Sequence, residues 1–253
     1  MGTVYLVGAG PGAADLLTVR AVRLLARADI VFHDALVEPE VLDLAPRAEK
    51  IAVGKRCGAH STSQRFINKR LVDAAARHAV VVRLKGGDPM LFGRAQEEID
   101  ALGAAGVSVE IVPGVTAALA AAAELKVSLT RRGVARSVAM VTPRVGEGES
   151  RHAWARAAAN ADTAVIYMGA GQAADIVDAL TACGVAPQTP VVLVESASRP
   201  EVSHAAGTLA DLPGLANGRG NGPAVILVGE VGRALAVAEA PVFARSQAIG
   251  DRR

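Results

Sequence analysis

Aromatic residues are scarce in this chain of 253 residues: they make up 3% of it, with 1 Trp, 2 Tyr and 4 Phe. Hydrophobic residues as a whole nevertheless reach 51%. The core must therefore be built from Ala, Val and Leu, which is typical of α/β folds with buried parallel strands. The length is enough for one large domain or two small ones.

Cysteine, strong charge and long apolar runs are lacking too. Cys57 and Cys183 lie far apart, which argues against a disulfide framework or a zinc site and indicates reduced thiols in the cytoplasm. The net charge of +2 is too mild to indicate a nucleic-acid partner. No apolar run reaches the roughly 18 residues of a membrane span. The first residues enter a predicted strand without a basic region, so we expect no signal peptide.

Short Val/Ile-rich runs alternate with Ala/Leu-rich helical patterns along the chain. The alternation predicts βαβ units, and hence an α/β fold with mainly parallel sheets. The predicted strands include "VYLVGA", "DIVFHD", "EKIAVG", "VVVRLKGGDP", "VSVEIVPG", "RSVAMVTPR", "TAVIYMG", "PVVLVES" and "PAVILVG". The predicted helices include Asp15–Ala28, Ser63–Arg77, Ala95–Ala105 and Gln172–Cys183. We place domain boundaries after "VPG", with an N-terminal domain at 1–114, a C-terminal domain at 115–240 and a tail at 241–253.

The first predicted strand runs into the glycine loop "VGAGPGAAD". Gly8, Gly10 and Ala13 match the relaxed dinucleotide fingerprint G-x-G-x-x-[GA]. Asp34 ends the second strand, near where an acid would hold a ribose. Pro11, however, removes a backbone N–H that a phosphate loop would use. NAD(P) binding is therefore the weaker interpretation, and a tight strand-to-helix turn is compatible with every function considered.

A second glycine cluster, "KGGDP", also follows a strand. Gly86 and Gly87 allow a close backbone approach to a ligand, Asp88 can accept hydrogen bonds from a ribose or an amine, and Pro89 stiffens the turn. One such cluster alone can be an ordinary turn. Because two glycine loops follow strand ends in one α/β domain, a shared ligand cleft is the better interpretation.

These loops belong to a series of blocks that resembles the tetrapyrrole methylases, most closely the members that methylate uroporphyrinogen III. The blocks run in family order from Val4 to about Val231 and include "VYLVGAGPG", "ADIVFHDALV", "VGKRCGAH", "VVRLKGGDPMLFGR", "VPGVTAALAAAA", "SLTRRGVARSV", "YMG", "GTLADL" and "PAVILVGEV". The resemblance implies two α/β domains with S-adenosylmethionine bound in a cleft between them and S-adenosylhomocysteine as product. It further implies a homodimer, a small tetrapyrrole substrate and no metal, nucleic-acid or membrane partner.

The resemblance also assigns site residues. The implied donor-site residues are Pro11, Gly86, Gly87, Asp88, Leu91, Thr116, Ala117, Met168, Ala197 and Ala224. The implied catalytic residues are Asp34 as proton acceptor, Lys55 as proton donor, and Arg94 and Glu97 as residues that contact or activate the substrate. Arg56 and His60 are expected to bind substrate carboxylates. Core packing for Met168, a solvated strand-end acid for Asp34 and a plain surface histidine for His60 stay open as alternatives.

The implied chemistry suits these residue types. The donor's methyl is already activated on a sulfonium, so catalysis is mostly positioning, and a general base can assist by taking a proton from the ring system. The macrocycle is edged with carboxylates, which call for cationic and fork-shaped partners. Arginine is a poor base, so Arg94 is expected first to clamp a carboxylate.

Several positions depart from the family pattern. They are Ala13 and Ala14 for the usual Asp-Pro, His33 for Tyr, Ala95 for Gly, Glu124, Lys126, Ser128 and Arg131 in "AELKVSLTRR", and Thr142-Pro143-Arg144 for Thr-Gly-His. Most of them touch the expected acceptor side, so the donor is better defined than the acceptor. Three hypotheses remain: two successive methylations of uroporphyrinogen III to precorrin-2, methylation of a later corrin precursor, and a donor-binding paralogue without turnover.

Overall fold

The structure of the chain is a computed structural model that describes residues 1–54, 64–145, 153–238 and 244–245. The chain divides into two units, Met1–Ala117 and Ala118–Arg253. The structure thus divides the chain after residue 117, whereas the sequence predicts a domain boundary after residue 114. Among the described helices, none is long and apolar enough to cross a membrane.

The first unit contains a five-stranded sheet in the order β3-β2-β4-β1-β5. Every strand pair in it is parallel, as the βαβ pattern predicts. The strands are β1 (Thr3–Gly8), β2 (Ile30–His33), β3 (Glu49–Ala52), β4 (Val80–Lys85) and β5 (Ser108–Val112). All carboxyl ends of these strands therefore lie at one edge of the sheet, here called the carboxyl edge.

Helices cover both faces of this sheet. They are α1 (Val19–Leu25), α2 (Pro39–Asp43), α3 (Gln64–Ala75) and α4 (Ala95–Ala104). The predicted helix Asp15–Ala28 is interrupted: a 3-10 turn spans Ala14–Leu16, and α1 starts afresh after Thr18, whose hydroxyl accepts the Ala21 N–H at 3.2 Å. Threonine is one of the residues preferred at a helix N-cap, which explains why a new helix begins here.

Alternation along β4 divides its side chains between the two faces. Val82 and Leu84 join the buried cluster with α1, whereas Val81 joins the cluster with α3 and α4. Arg83 and Lys85 share the face of Val81, because side chains two residues apart in a strand point the same way. Both are nevertheless buried, at 3% and 2% exposure. The first unit thus places two cations inside a mainly apolar layer.

The second unit contains a six-stranded sheet in the order β11-β9-β8-β10-β7-β6. Its strands are β6 (Val138–Val141), β7 (Thr163–Tyr167), β8 (Pro190–Glu195), β9 (Ser203–Thr208), β10 (Ala224–Gly229) and β11 (Ala244–Arg245). Its helices are α5 (Ala117–Leu125, beginning in the first unit), α6 (Ala153–Ala159), α7 (Ala173–Ala182), α8 (Leu212–Asn217) and α9 (Arg233–Ala238). Further 3-10 turns span Ala170–Gln172, Leu209–Asp211 and Glu230–Gly232.

Pairing in the second sheet differs from the expected parallel arrangement. Only β6 and β7 pair in parallel, and the other four neighbouring pairs are antiparallel. The connection from β8 to β9, residues 196–202, is shorter than the dozen or so residues that a parallel crossover requires. The α/β class is confirmed, and the mainly parallel pairing holds for the first sheet.

A pH-dependent contribution to stability is expected from Asp162, just before β7. Its Oδ2 accepts the N–H of Arg136 at 2.8 Å and the N–H and hydroxyl of Ser137 at 3.0 and 2.8 Å. These hydrogen bonds, the Arg136 N–H first, lower the pKa of the Asp162 carboxyl. A lowered pKa stabilises the fold above the ordinary carboxyl value near 4, and this contribution is lost as the pH falls through the lowered pKa.

We therefore expect Asp162→Ala to unfold at lower urea concentration than the wild type at pH 7. The gap between the two proteins should shrink as the pH falls below about 4. Asp178→Ala, at an exposed acid on α7, is the control and should leave the midpoint nearly unchanged. A gap for Asp162→Ala that is equally wide at low pH would contradict the expectation.

Candidate active site

The two glycine loops are hydrogen-bonded to each other at the carboxyl edge of the first sheet. The N–H of Gly87 donates to the carbonyl of Gly10 at 2.7 Å, and the N–H of Gly10 donates to the carbonyl of Gly87 at 3.2 Å. Both residues have positive φ, 71° for Gly10 and 67° for Gly87, which only glycine adopts without strain. The loops after β1 and β4 therefore form one continuous backbone surface.

The loop after β5 closes against the same surface through Gly114. A Cβ atom at Gly114 would lie 2.3 Å from the carbonyl oxygen of Gly87 and 2.8 Å from the Cα of Gly8. A Cβ at Gly8 would in turn lie 2.6 Å from the Cα of Gly114. Only glycine permits three chain segments to approach this closely.

Asp88 holds these loops together. Its Oδ2 accepts the Gly114 N–H at 2.9 Å, and its Oδ1 accepts the Met90 N–H at 2.8 Å. The sequence suggests this carboxylate as an acceptor for a ribose or amine. In the structure both of its oxygens are already engaged by the backbone, so its visible role is to fix the turn after β4.

The other donor-site candidates of the first unit lie around this surface. Pro11 follows Gly10 directly, and Leu91 belongs to the turn after β4, where its N–H donates to the Asp88 carbonyl at 3.3 Å. The Cα of Thr116 is 3.9 Å from a Cβ built on Gly87, and Ala117 begins α5. The structure thus gathers the predicted donor residues of the first unit at its carboxyl edge.

The second unit gathers its own three candidates at one edge of its sheet. Met168 follows β7, Ala197 lies two residues beyond the end of β8, and Ala224 begins β10 opposite Glu195. Because β10 runs antiparallel to β7 and β8, its start lies beside their carboxyl ends. In a parallel sheet Ala224 would lie at the opposite edge. The unexpected strand direction therefore brings these residues together.

Met168 is not a core residue. It is 40% exposed and has a φ of 56°. Ser196 and Ser198, on either side of Ala197, also have positive φ, 53° and 69°. Strained backbone of this kind clusters at functional sites, where the surrounding structure maintains it. The core-packing alternative for Met168 is thus not supported.

Glu195, which sequence reasoning missed, holds the loop in front of Ala224. This carboxylate is 5% exposed, and it accepts the N–H groups of Gly220 at 2.8 Å and Gly222 at 2.6 Å. The Arg219 guanidinium lies 3.6 Å from it. The available signal was an acid at the end of the apolar strand "PVVLVE" combined with the glycine-rich "GRGNGP".

Asp34, the predicted proton acceptor, lies just beyond β2 on the strand next to β4. Its Oδ1 accepts a hydrogen bond from Arg83 Nη2 at 2.5 Å, and its side chain is 31% exposed. The ring Nδ1 of His33 lies 3.1 Å from the Asp34 carbonyl oxygen. Asp34 is therefore more than a freely solvated strand-end acid: a buried arginine orients it.

Arg94 and Glu97 contact each other. Arg94 Nε and Nη2 donate to the two Glu97 carboxylate oxygens at 2.7 and 2.8 Å. The Arg94 side chain is 58% exposed and the Glu97 side chain is 50% exposed. The hydrogen bond with Arg94 lowers the pKa of the Glu97 carboxyl, and the same bond raises the pKa of Arg94. The fork of Arg94 thus already binds a carboxylate, as expected for a clamp, but that carboxylate belongs to its own helix.

The remaining predicted residues and departures divide into two groups. Lys55, Arg56 and His60 lie outside the described residues. Ala14 starts the 3-10 turn after the first glycine loop, and Ala95 is buried at 4% exposure at the start of α4. The 3-10 turn forms with Ala14 in place, and α4 forms with Ala95 in place. Within the described ranges, no group of three or more potential metal ligands is found.

Known proteins resemble this chain over most of its length. The chain is 45% identical over 237 residues to a siroheme synthase of Psychrobacter sp. (strain PRwf-1), a match that covers 92% of this chain and 48% of that protein. It is 47% identical over 232 residues to the siroheme synthase of Chromobacterium violaceum, with 91% and 49% covered. The chain thus spans about half the length of the curated relatives it matches.

Solved structures match over nearly their whole length. Uroporphyrin-III C-methyl transferase from Thermus thermophilus, complexed with S-adenosylhomocysteine, is 41% identical with a TM-score of 0.81, covering 92% of this chain and 100% of that one. A cobalt precorrin-4 methyltransferase is 29% identical with a TM-score of 0.79, covering 90% and 95%. The family model "Tetrapyrrole (Corrin/Porphyrin) Methylases" matches residues 3–213. With that match over most of its length, the chain belongs to the tetrapyrrole methylase family.

Proposed function

We propose that this chain is an S-adenosylmethionine-dependent C-methyltransferase that converts uroporphyrinogen III to precorrin-2 by two successive methyl transfers, for sirohaem or cobalamin synthesis. One observation carries the proposal. The carboxyl edge of the first sheet presents a glycine-lined backbone surface and, just beyond the neighbouring strand β2, the partly exposed carboxylate of Asp34. The similarity to the Thermus thermophilus enzyme, complexed with S-adenosylhomocysteine, supports the same assignment.

The donor is proposed to lie against backbone rather than against charged side chains. S-adenosylmethionine supplies a methyl group activated on its sulfonium. The glycine surface of Gly10, Gly87 and Gly114 leaves room for close approach, and Thr116 and Ala117 flank it. The second unit contributes Met168, Ala197 and Ala224 in the same proposal. These residues bind and orient the donor, which is the main demand of the reaction.

Asp34 is proposed as the proton acceptor. A bond forms between the methyl and a pyrrole carbon while the methyl–sulfur bond breaks, and the ring system then loses a proton. Arg83 binds only one oxygen of Asp34 among the described contacts. Asp34 can therefore present its other oxygen to the substrate. Lys55 is proposed as the proton donor for the macrocycle.

The acceptor is proposed to be recognised through its carboxylates. Arg94 supplies a planar fork of the geometry that carboxylates match, and Glu97 keeps that fork in place until a substrate carboxylate competes for it. Arg56 and His60 are proposed as further cationic partners. We also propose that the chain acts as a cytoplasmic homodimer, with residues 1–114 contributing to the acceptor and donor cleft and 115–240 to donor binding and dimer contacts.

Glu195→Ala is expected to weaken S-adenosylhomocysteine binding by about threefold to tenfold. The change leaves two partly buried N–H groups before Ala224 without their acceptor. Such a loss costs up to about 1–3 kcal/mol when the groups are fully buried, and solvent and loop relaxation recover part of it here. Isothermal titration would measure the dissociation constant. Glu201→Ala, at an exposed acid, is the control. Wild-type affinity in Glu195→Ala would remove this loop from the donor site.

A titration of the protein with S-adenosylhomocysteine and, separately, with NADH tests the identity of the donor. The proposal predicts saturable binding of S-adenosylhomocysteine and none of NADH at the same concentrations. Tight NADH binding would revive the dinucleotide interpretation of the first glycine loop.

A further inference from the structure

A buried carboxylate, Glu98 on α4, connects two cations of β4. Its Oε1 accepts from Arg83 Nε at 3.0 Å and its Oε2 accepts from Lys85 Nζ at 3.0 Å. Gln64 Nε2, at the start of α3, donates to Oε1 at 3.1 Å. Glu98 is 0% exposed, so both of its oxygens are satisfied entirely by protein groups within the described contacts.

Among the described residues, the charges around Glu98 balance. Asp34 and Glu98 are opposed by Arg83 and Lys85. Burial acts to lower the pKa of Arg83, but the charges and hydrogen bonds of Asp34 and Glu98 outweigh it and raise that pKa. Burial and then the neighbouring charge of Arg83 lower the pKa of Lys85, and the charge and hydrogen bond of Glu98 act in the opposite direction. The bond to Glu98 therefore favours the charged form of Lys85. Removing one partner of such a network leaves an uncompensated buried charge.

Each cation bound by Glu98 leads to a different part of the candidate site. Arg83 reaches the Oδ1 of Asp34 with its Nη2. The stem of Lys85 runs beneath the turn after β4, where its Cε would lie 3.1 Å from a Cβ on Gly93. That turn carries Leu91. Glu98 thus contacts both Arg83, which holds the candidate base Asp34, and Lys85, which lies against the candidate donor turn after β4.

We propose that Glu98 is a positioning residue of methyl transfer. It holds the Arg83 fork so that one Asp34 oxygen is bound and the other is presented, and through Lys85 it keeps the turn after β4 at a fixed distance from that carboxylate. The inference rests on the proposed function, and within it on Asp34 as the proton acceptor. A purely structural ion pair would stabilise α4 against β4 without affecting how the rate depends on pH.

Glu98→Gln tests the proposal, because it keeps the shape of the side chain and removes its charge. Single-turnover methyl transfer to uroporphyrinogen III at saturating donor should fall about tenfold or more, while the dissociation constant of S-adenosylhomocysteine changes less than threefold. In the part of the chain that the structure describes, the charged groups facing Asp34 would then be Arg83 and Lys85, with the His33 ring nearby. The added net positive charge should move the acid limb of the pH–rate profile to lower pH.

Asp100→Asn on the exposed face of α4 is the matched control and should retain the wild-type rate and profile. A folded Glu98→Gln protein with the wild-type rate, or with a lower rate and an unmoved profile, would overturn the proposal. Arg83→Lys keeps the charge but cannot reach both carboxylates as a fork, so it should also slow transfer about tenfold. If Glu98→Gln fails to fold, a wild-type rate in Arg83→Lys overturns the inference instead.

The base itself is checked in parallel with Asp34→Asn. A wild-type rate in that variant would remove the proposed proton acceptor. An Asp34→Asn protein that is slow, alongside a Glu98→Gln protein that behaves as wild type, would leave the base intact and reject only the positioning role.

Discussion

Asp34→Asn should slow methyl transfer to uroporphyrinogen III by about 10²–10⁴-fold, the usual contribution of a positioned general base. An amide has nearly the shape of the carboxylate and keeps an oxygen for the Arg83 hydrogen bond, but it cannot take up the proton that leaves the ring system. The glycine surface lies on other loops, so the affinity for S-adenosylhomocysteine should stay within about threefold. Single-turnover rates and a titration of each protein would measure both quantities.

Asp43→Asn, an exposed acid at the end of α2, makes the same chemical change away from the carboxyl edge and is expected to behave as wild type. Unaltered turnover in Asp34→Asn would exclude Asp34 from the mechanism. A matching loss of donor affinity would mean instead that Asp34 contributes to donor binding.

Gly114→Ala should destabilise the fold by about 1–3 kcal/mol and weaken S-adenosylhomocysteine binding by at least about tenfold. The added methyl would meet the Gly87 carbonyl oxygen at 2.3 Å and the Gly8 Cα at 2.8 Å. Both are backbone atoms, so no side-chain rotation can relieve the overlap, and the loops must separate. Their separation would also strain the Asp88 bond to the Gly114 N–H.

Gly103→Ala is the control for this change. Gly103 lies within α4, and a Cβ there would meet no atom within 4 Å. Alanine is favoured over glycine inside a helix, so Gly103→Ala should be neutral or slightly stabilising. Urea unfolding and titration would measure both variants. A Gly114→Ala protein with wild-type stability and affinity would show that the close approach of the three loops is not needed.

The first unit could be predicted well from sequence because its signals are local. Apolar runs end in glycine, aspartate or proline and are followed by helical patterns, and each crossover is long enough for parallel pairing. The sequence favours one ligand cleft shared by the glycine loops after β1 and β4, because open α/β sheets bind ligands beyond the carboxyl ends of their strands. Their mutual hydrogen bonds, through Gly10 and Gly87, follow from that arrangement.

The second unit was predicted less well, for a physical reason. The strand β9, "SHAAGT", contains glycine, histidine and small residues instead of an apolar β-branched run, so it carries no strand signal of its own. It is held by its hydrogen bonds to β8. Without β9, the short connection after β8 cannot be recognised as a hairpin, and the strand directions come out wrong.

The supporting residues of the site were the hardest to foresee. Glu98 and Glu195 each look like ordinary surface acids in sequence, because a single letter does not show burial. Their partners are distant along the chain: Glu98 meets Arg83 and Lys85, and Glu195 meets Gly220 and Gly222. Asp88 was identified, but its bond to the Gly114 N–H depends on where the loop after β5 lies, which sequence does not give.

Methyl transfer itself tests the central claim most directly. The protein would be incubated with methyl-labelled S-adenosylmethionine and uroporphyrinogen III, and the macrocycle and the spent donor would be quantified by mass spectrometry. The account predicts two labelled methyl groups on carbon per macrocycle and one S-adenosylhomocysteine for each. A macrocycle without label, from protein that binds S-adenosylhomocysteine, would contradict it.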